Sequence, residues 1–170
     1  MKKFSIVHEF DCPPETYWKL NFDKEFNTTL YLEGLGFPEY RVEEQRETDA
    51  EIFRRTIATP KMDVPAAVAK IIGNNFRYTE ETRWNKSTKI AAFKGIPSTQ
   101  ADKLKTEGSM RVEALPGNRC KRVVDFTTEA KIMLVGGMLE DTAEDNMRKS
   151  YNKNAVFMQK WLADKGLKNT

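Results

Sequence analysis

Histidine is nearly missing from this 170-residue chain: His8 is the only one. With no histidine pair and no HExxH, the usual zinc sites are excluded. Cysteine is almost as scarce. Cys12 and Cys120 form no CxxC and no metal-ligand spacing, and they can pair only if the fold brings them together. A reduced, intracellular protein is the simpler reading. There is no GxSxG and no phosphate-cradling glycine loop. No metal or cofactor is therefore expected, and no residue is assigned a catalytic role. No apolar run approaches the ~20 residues of a membrane-spanning helix. The start, Met1 to Glu9, is charged too soon after its apolar residues for a signal peptide, so a cytoplasmic protein is expected. Strong charge is lacking too. Lys plus Arg total 28 against 25 Asp plus Glu, a net +3 spread along the chain. That argues against nucleic acid as a partner. It leaves open a weak, transient attraction to an anionic membrane surface.

What the chain does have is pattern. It is 39% hydrophobic and 31% charged, normal for a globular protein, and 170 residues suffice for one domain with a real core. No repeat, linker or low-complexity stretch divides residues 1–170. Leu139, Ala143, Met147, Tyr151, Ala155, Met158 and Leu162 recur at steps of four and three. This spacing predicts one face of a long helix over about 137–165, roughly 40 Å in length. Acids crowd its first turns (Glu140, Asp141, Glu144, Asp145) and bases its later ones (Arg148, Lys149, Lys153, Lys160), as the helix dipole favours. The face is made of Met, Tyr and Ala rather than Leu and Ile alone. It reads either as ordinary core or as the wall of a cavity.

The preceding chain alternates with period two. Phe4, Ile6, His8 and Phe10 predict a first strand with those residues inward. After Pro13-Pro14 come two short helices, Glu15 to Leu20 and about Asp23 to Leu32, the second presenting Phe26, Leu30 and Leu32 to the interior. Strands are expected at Tyr40–Thr48, charged and near a sheet edge, and at Glu51–Thr59. An interruption from Pro60 to Asn75 holds a short apolar helix within Val64–Gly73. Strands resume at Phe76–Trp84 and Thr88–Lys94. A loop at Gly95-Ile96-Pro97 follows, then strands at Lys103–Leu115 and Arg119–Ile132. Hairpin-length links imply an antiparallel sheet.

This order of elements resembles the START-like, or helix-grip, superfamily over nearly the whole chain. Two stretches look similar to a bacterial family of unassigned function within it. They are Val64 to Trp84, ending in Arg83-Trp84, and Lys131-Ile132-Met133-Leu134-Val135-Gly136-Gly137-Met138-Leu139-Glu140. The resemblance implies an α+β fold: a curved seven-stranded antiparallel sheet wrapped around a long C-terminal helix, with a hydrophobic cavity between them. The superfamily includes lipid and sterol carriers, aromatic polyketide cyclases and oxygenase subunits, so the resemblance supports a fold more than any one function.

Within such a fold, the expected cavity lining is Phe76, Tyr78, Val124, Phe126, Met147, Tyr151 and Met158. Arg54, Glu80 and Arg122 also alternate onto inward faces. Buried charges need partners, so Arg54 or Arg122 would meet a ligand head group or Glu80. Ways in are the Gly95–Ala101 loop, the Val64–Ile72 insert and the Met133–Leu139 junction; the last two either touch a bilayer or pack on each other as a lid. The first expectation is non-enzymatic binding or transfer of a lipid, sterol or isoprenoid-like molecule. An alternative is a cyclase/aromatase-type enzyme, with His8, Tyr78, Glu80 and Tyr151 as its acid–base groups. A third is a cavity-free interaction module. His8, on an apolar face, is more often a hydrogen-bonded structural residue than a catalyst. Gly136-Gly137 reads as a tight bend more readily than as an anion site.

Overall fold

Proline and an acidic cap start the two helices that follow the first strand. In the computed structural model, which describes residues 1–73 and 75–170, β1 (Lys2–Phe10) runs into α1 (Pro14–Phe22) with a proline in its first turn. Asp23 caps α2 (Lys24–Thr29), its carboxylate accepting the Phe26 N–H at 2.7 Å. The helix then widens into a π-helical turn, Leu30–Gly34, closed by the Leu35 N–H on the Leu30 carbonyl. The wider turn shifts the inward register by one residue. Tyr31 therefore packs against Phe37 and Tyr40, while Leu32, expected inside, is exposed.

The remaining strands are β2 (Glu39–Glu47), β3 (Glu51–Thr59), β4 (Tyr78–Asn85), β5 (Ile90–Pro97), β6 (Leu104–Leu115) and β7 (Arg119–Ala130). They form one antiparallel sheet in the order β1-β7-β6-β5-β4-β3-β2. The charged β2 lies at an edge, as expected. The α3 helix (Ala66–Ile72) interrupts the sheet between β3 and β4 and stops at Gly73, whose φ is 78°. Asn74, in the expected interruption, lies outside the described residues. The chain closes with α4 (Gly136–Asp164), 29 residues and so about 44 Å. The arrangement is the α+β helix grip that the element order implied.

Three boundaries differ from the pattern. The β5 strand runs on through Gly95-Ile96-Pro97, because Pro97 pairs with Tyr78 at the very end of the ladder, where a missing N–H costs little. Phe76 precedes β4 rather than belonging to it. The β7 strand stops at Ala130, and residues 131–135 turn the chain into α4. That turn explains the two glycines. A Cβ on Gly136 would overlap the Ala130 carbonyl oxygen, whereas one on Gly137 would meet nothing within 4 Å. Gly136→Ala is expected to lower stability by about 1–3 kcal/mol. Gly137→Ala should be neutral or stabilising by up to about 1 kcal/mol. Urea unfolding of the two variants checks this.

The fold brings the two cysteines together. Both are buried free thiols, and their side chains are in contact. That contact and burial push the Cys120 thiol far up.

Candidate functional site

The sheet register ranks the inward-facing residues along α4. The row nearest α3 holds Ala58, Tyr78 and Pro97, with Leu104 opposite Ala130. The next holds Thr56, Glu80, Gly95, Thr106 and Thr128. The third holds Arg54, Thr82, Phe93, Gly108 and Phe126. Beyond it lie Trp84, Ala91, Met110 and Val124, and then Arg122 opposite His8. Against these rows α4 converges on the sheet. Its far end, with Ala155, Met158 and Leu162, is packed solid into the main core. Its nearer stretch, with Ala143, Met147, Ser150, Tyr151 and Asn154, stands off and encloses a cavity of about 270 Å³.

Seven of the residues expected to line this space do so: Arg54, Phe76, Tyr78, Arg122, Phe126, Met147 and Tyr151. Val124 and Met158 do not. Val124 is fully buried between Ile6 and Met110 in the main core, and Met158 is seven residues past Tyr151, about 10 Å further along α4, where helix and sheet converge. Several wall residues escaped the sequence reading. Tyr17 and Asn21 come from α1, Asn27 from α2, Tyr31 from the π-helical turn and Asn154 from α4. Asn154 carried a legible signal, since it stands three residues after Tyr151 on the apolar stripe.

The cavity changes character along its length. At one end α3 closes it: Val68 and Ile72 pack on Leu139, with Val64, Phe76, Leu104, Ala130 and Val135 around them. The insert and the start of α4 therefore cover each other as a lid. Met133 and Leu134 are left outside, 87% and 98% exposed. The opposite end is polar. Arg122 is fully buried there. Its Nη1 donates to Asn154 Oδ1 at 2.7 Å and to the Tyr17 hydroxyl at 3.3 Å. Its Nη2 lies 3.0 Å from His8 Nδ1. A guanidinium only donates, so His8 Nδ1 must accept and the ring proton sits on Nε2, directed at Asn152 Oδ1 2.8 Å away. Burial and the Arg122 charge hold His8 below its ordinary pKa, that is, toward the neutral form. Both its nitrogens are engaged, Nδ1 with Arg122 and Nε2 with Asn152, which is a structural role.

Arg54 donates to the Asn21 carbonyl and lies over the Phe22 ring. Glu80, one row closer to the lid, accepts from Thr82 Oγ1 at 3.1 Å. Burial pushes the Glu80 carboxyl above the ordinary range, outweighing the attraction of Arg54 and the Thr82 hydrogen bond. The same burial raises the phenols of Tyr31, Tyr78 and Tyr151, so all three stay protonated donors facing the cavity. A glutamate raised in the folded state binds its proton more tightly there than in the unfolded chain. Its stabilising share is complete at low pH and is lost as pH rises through the folded value. Glu80→Gln should thus unfold at a higher temperature than the parent at pH 7.5 and near the same temperature at pH 4, in matched thermal scans. The groups around it that bear on this are Arg54, Tyr31, Tyr40, Tyr78 and Tyr151.

A shallower depression of about 580 Å³ lies by Lys3, Ser5, Gly108 and Asp125. It is larger but open to solvent. The space under α4 is less open and removes more of a ligand's surface from water, so it is the better candidate. Among the described residues, no cluster of histidine, cysteine and carboxylate side chains is arranged to hold a metal ion, and no helix is long and apolar enough to cross a membrane.

A long helix gripped by a seven-stranded antiparallel sheet, with a cavity between, is the START-like, helix-grip fold. The chain belongs to the family described as "Protein of unknown function (DUF2505)", whose model matches residues 5–162. Solved structures share the fold at low identity. The protein TTHA0849 from Thermus thermophilus is 19% identical, covering 94% of this chain and 95% of its own, with a TM-score of 0.66. The Zhui aromatase/cyclase from a Streptomyces species is 15% identical over 95% and 94%, with a TM-score of 0.62. A START superfamily protein from Mycobacterium smegmatis is 14% identical over 95% and 97%, with a TM-score of 0.59. No curated protein matches the sequence.

Proposed function

We propose that this protein binds, and in doing so carries, one small hydrophobic molecule in the cavity between sheet and α4. The observation that supports this most is where α4 leaves the sheet. Its far half is packed solid, and its near half is held away over Arg54, Tyr78, Phe126, Met147 and Tyr151. An apolar surface buried there would gain about 25 cal/mol per Å². The volume, about 270 Å³, lies at the lower edge of ligand sites, which run roughly 300–1,000 Å³. Among lipid, sterol and isoprenoid-like ligands, it suits a single chain or a compact ring system better than a two-chain lipid. Met133 and Leu134, exposed beside the lid, favour transient contact with a membrane surface during loading. Native mass spectrometry of the purified protein, followed by solvent extraction, tests the reading. A co-purified small apolar molecule supports it, and a protein of bare chain mass that no hydrophobic compound stabilises against heat counts against it.

One observation favours a second reading. Glu80 faces the same space as Tyr78 and Tyr151, a set of acid–base groups able to polarise the carbonyls of a polyketide-like chain by donating hydrogen bonds and, through the Glu80 carboxylate, to take up an α-proton. The fold shared with the Zhui aromatase/cyclase is compatible with such chemistry. Under this reading Glu80→Gln abolishes turnover of a polyketide-like substrate. Under the carrier reading it leaves ligand uptake intact.

A further inference from the structure

Arg122 is a cation taken wholly out of bulk water and given only neutral company. Its partners are Asn154, Tyr17 and His8, its plane lies over Phe10 and Tyr151, and its Nε has no partner. Arg54, 6% exposed, repeats the arrangement with the Asn21 carbonyl and the Phe22 ring, and its Nε is also unpartnered. Isolating a guanidinium in this way is costly, and buried charges are normally paired. Among the described residues no carboxylate lies within ion-pair distance of either. Both arginines border the cavity, on the side away from the lid, whereas the lid side is walled by Val68, Ile72, Phe76, Leu104 and Leu139. The cavity therefore has its two buried arginines away from the lid, and under α3 an apolar patch with Lys61, Lys105, Glu129 and Glu140 at its rim.

We propose that its occupant is a compact amphiphile carrying one carboxylate, bound head-inward, with the carboxylate on Arg122 and Arg54 and the apolar body under α3. This rests on the cavity being a ligand site and adds the class and direction of the ligand. A guanidinium presents a planar fork that matches a carboxylate. The absence of a protein counter-ion is explained by a missing acidic head. Glu80 does not supply it, because it stands one row nearer the lid, forms no ion pair with either arginine and accepts from Thr82 instead.

Titration calorimetry with octanoate, octanol and octylammonium separates head group from tail. Octanoate is expected to bind about 10- to 100-fold more tightly than octanol, the worth of a charge-assisted hydrogen bond, and octylammonium not measurably. Asn154→Asp places a carboxylate of the same shape on Arg122 and so supplies the counter-ion internally. It should remove the octanoate preference and not lower the unfolding temperature. Arg122→Met should remove the preference as well. Its folding is the less secure of the two, so Asn154→Asp decides. Equal binding of octanoate and octanol by the parent, or an unaltered octanoate preference in Asn154→Asp, overturns the head-inward assignment and leaves the cavity reading standing. Failure of all three compounds to bind at millimolar concentration overturns both.

Discussion

Gly108→Ala is expected to cost about 3 kcal/mol of stability, at the upper end of what overpacking a core does. Gly108 sits in mid-strand on β6, opposite Phe93 on one side and Phe126 on the other. A glycine inside a strand is ordinarily a weakness, and alanine there would normally gain about 0.5–1 kcal/mol. Here the sign reverses because the space is taken. A Cβ would overlap the carbonyl oxygen of Asp125 in the neighbouring strand and come 2.5 Å from Cζ of Phe93. The Phe93 ring crosses the bare glycine to meet Phe126 edge-on, with centroids 5.3 Å apart, and Phe126 in turn meets Tyr151 of α4 at 5.4 Å. This run of rings ties sheet to helix across the cavity floor. Relief of the clash needs either a shift of the β6–β7 backbone or rotation of Phe93 into the cavity. For a chain of this size, 3 kcal/mol corresponds to a fall in Tm of about 10 °C. A thermal scan showing no loss would mean that the β6–β7 pairing yields more readily than its register suggests.

The rings in that run differ in how far the sequence announces them. Phe126 and Tyr151 are visible from periodicity alone, one from the alternation of β7 and the other from the four-residue steps of α4. Periodicity fixes which side a residue faces. It does not fix where along the interface the two layers meet, and so Val124 and Met158 share faces with true wall residues yet lie in solid core. Separation between layers is set by facing pairs far apart in sequence, such as Phe126 of β7 against Tyr151 of α4, and no local pattern carries it. The polar end was harder still to read. Arg122 and Arg54 are legible as inward charges, but their neutral partners come from three different elements, β1, α1 and α4, brought together only by the folded sheet. The π-helical turn at Leu30–Gly34 has no local signature, and it is what turns Tyr31 rather than Leu32 toward the interior. The Gly-Ile-Pro of β5 has the composition of a turn and is nevertheless paired, because at the end of a ladder the missing proline donor is tolerated.

Gly95→Phe is expected to abolish ligand binding while leaving the protein at least as stable as before. Gly95 faces the cavity from the row that also holds Glu80 and Thr106. Its geometry is the opposite of that at Gly108. A Cβ there would lie 3.7 Å from the Thr106 Cβ, an ordinary contact, and the space beyond is the cavity itself. A strand accepts phenylalanine well. The benzyl group would occupy much of the 270 Å³ that a ligand needs. Filling an apolar void restores dispersion contacts that its walls now lack, and removal of a mid-strand glycine adds about 0.5–1 kcal/mol. The net gain should be about 1 kcal/mol, a rise in Tm of about 3 °C. Any compound that stabilises the parent should then give no thermal shift in the variant, since stabilisation by mass action requires a site. Unfolding would separate this from a merely damaged protein, because a plugged cavity predicts lost binding together with a raised Tm. Retained binding in a well-folded Gly95→Phe variant would place the ligand elsewhere, with the open depression beside Lys3 and Asp125 as the next surface to probe.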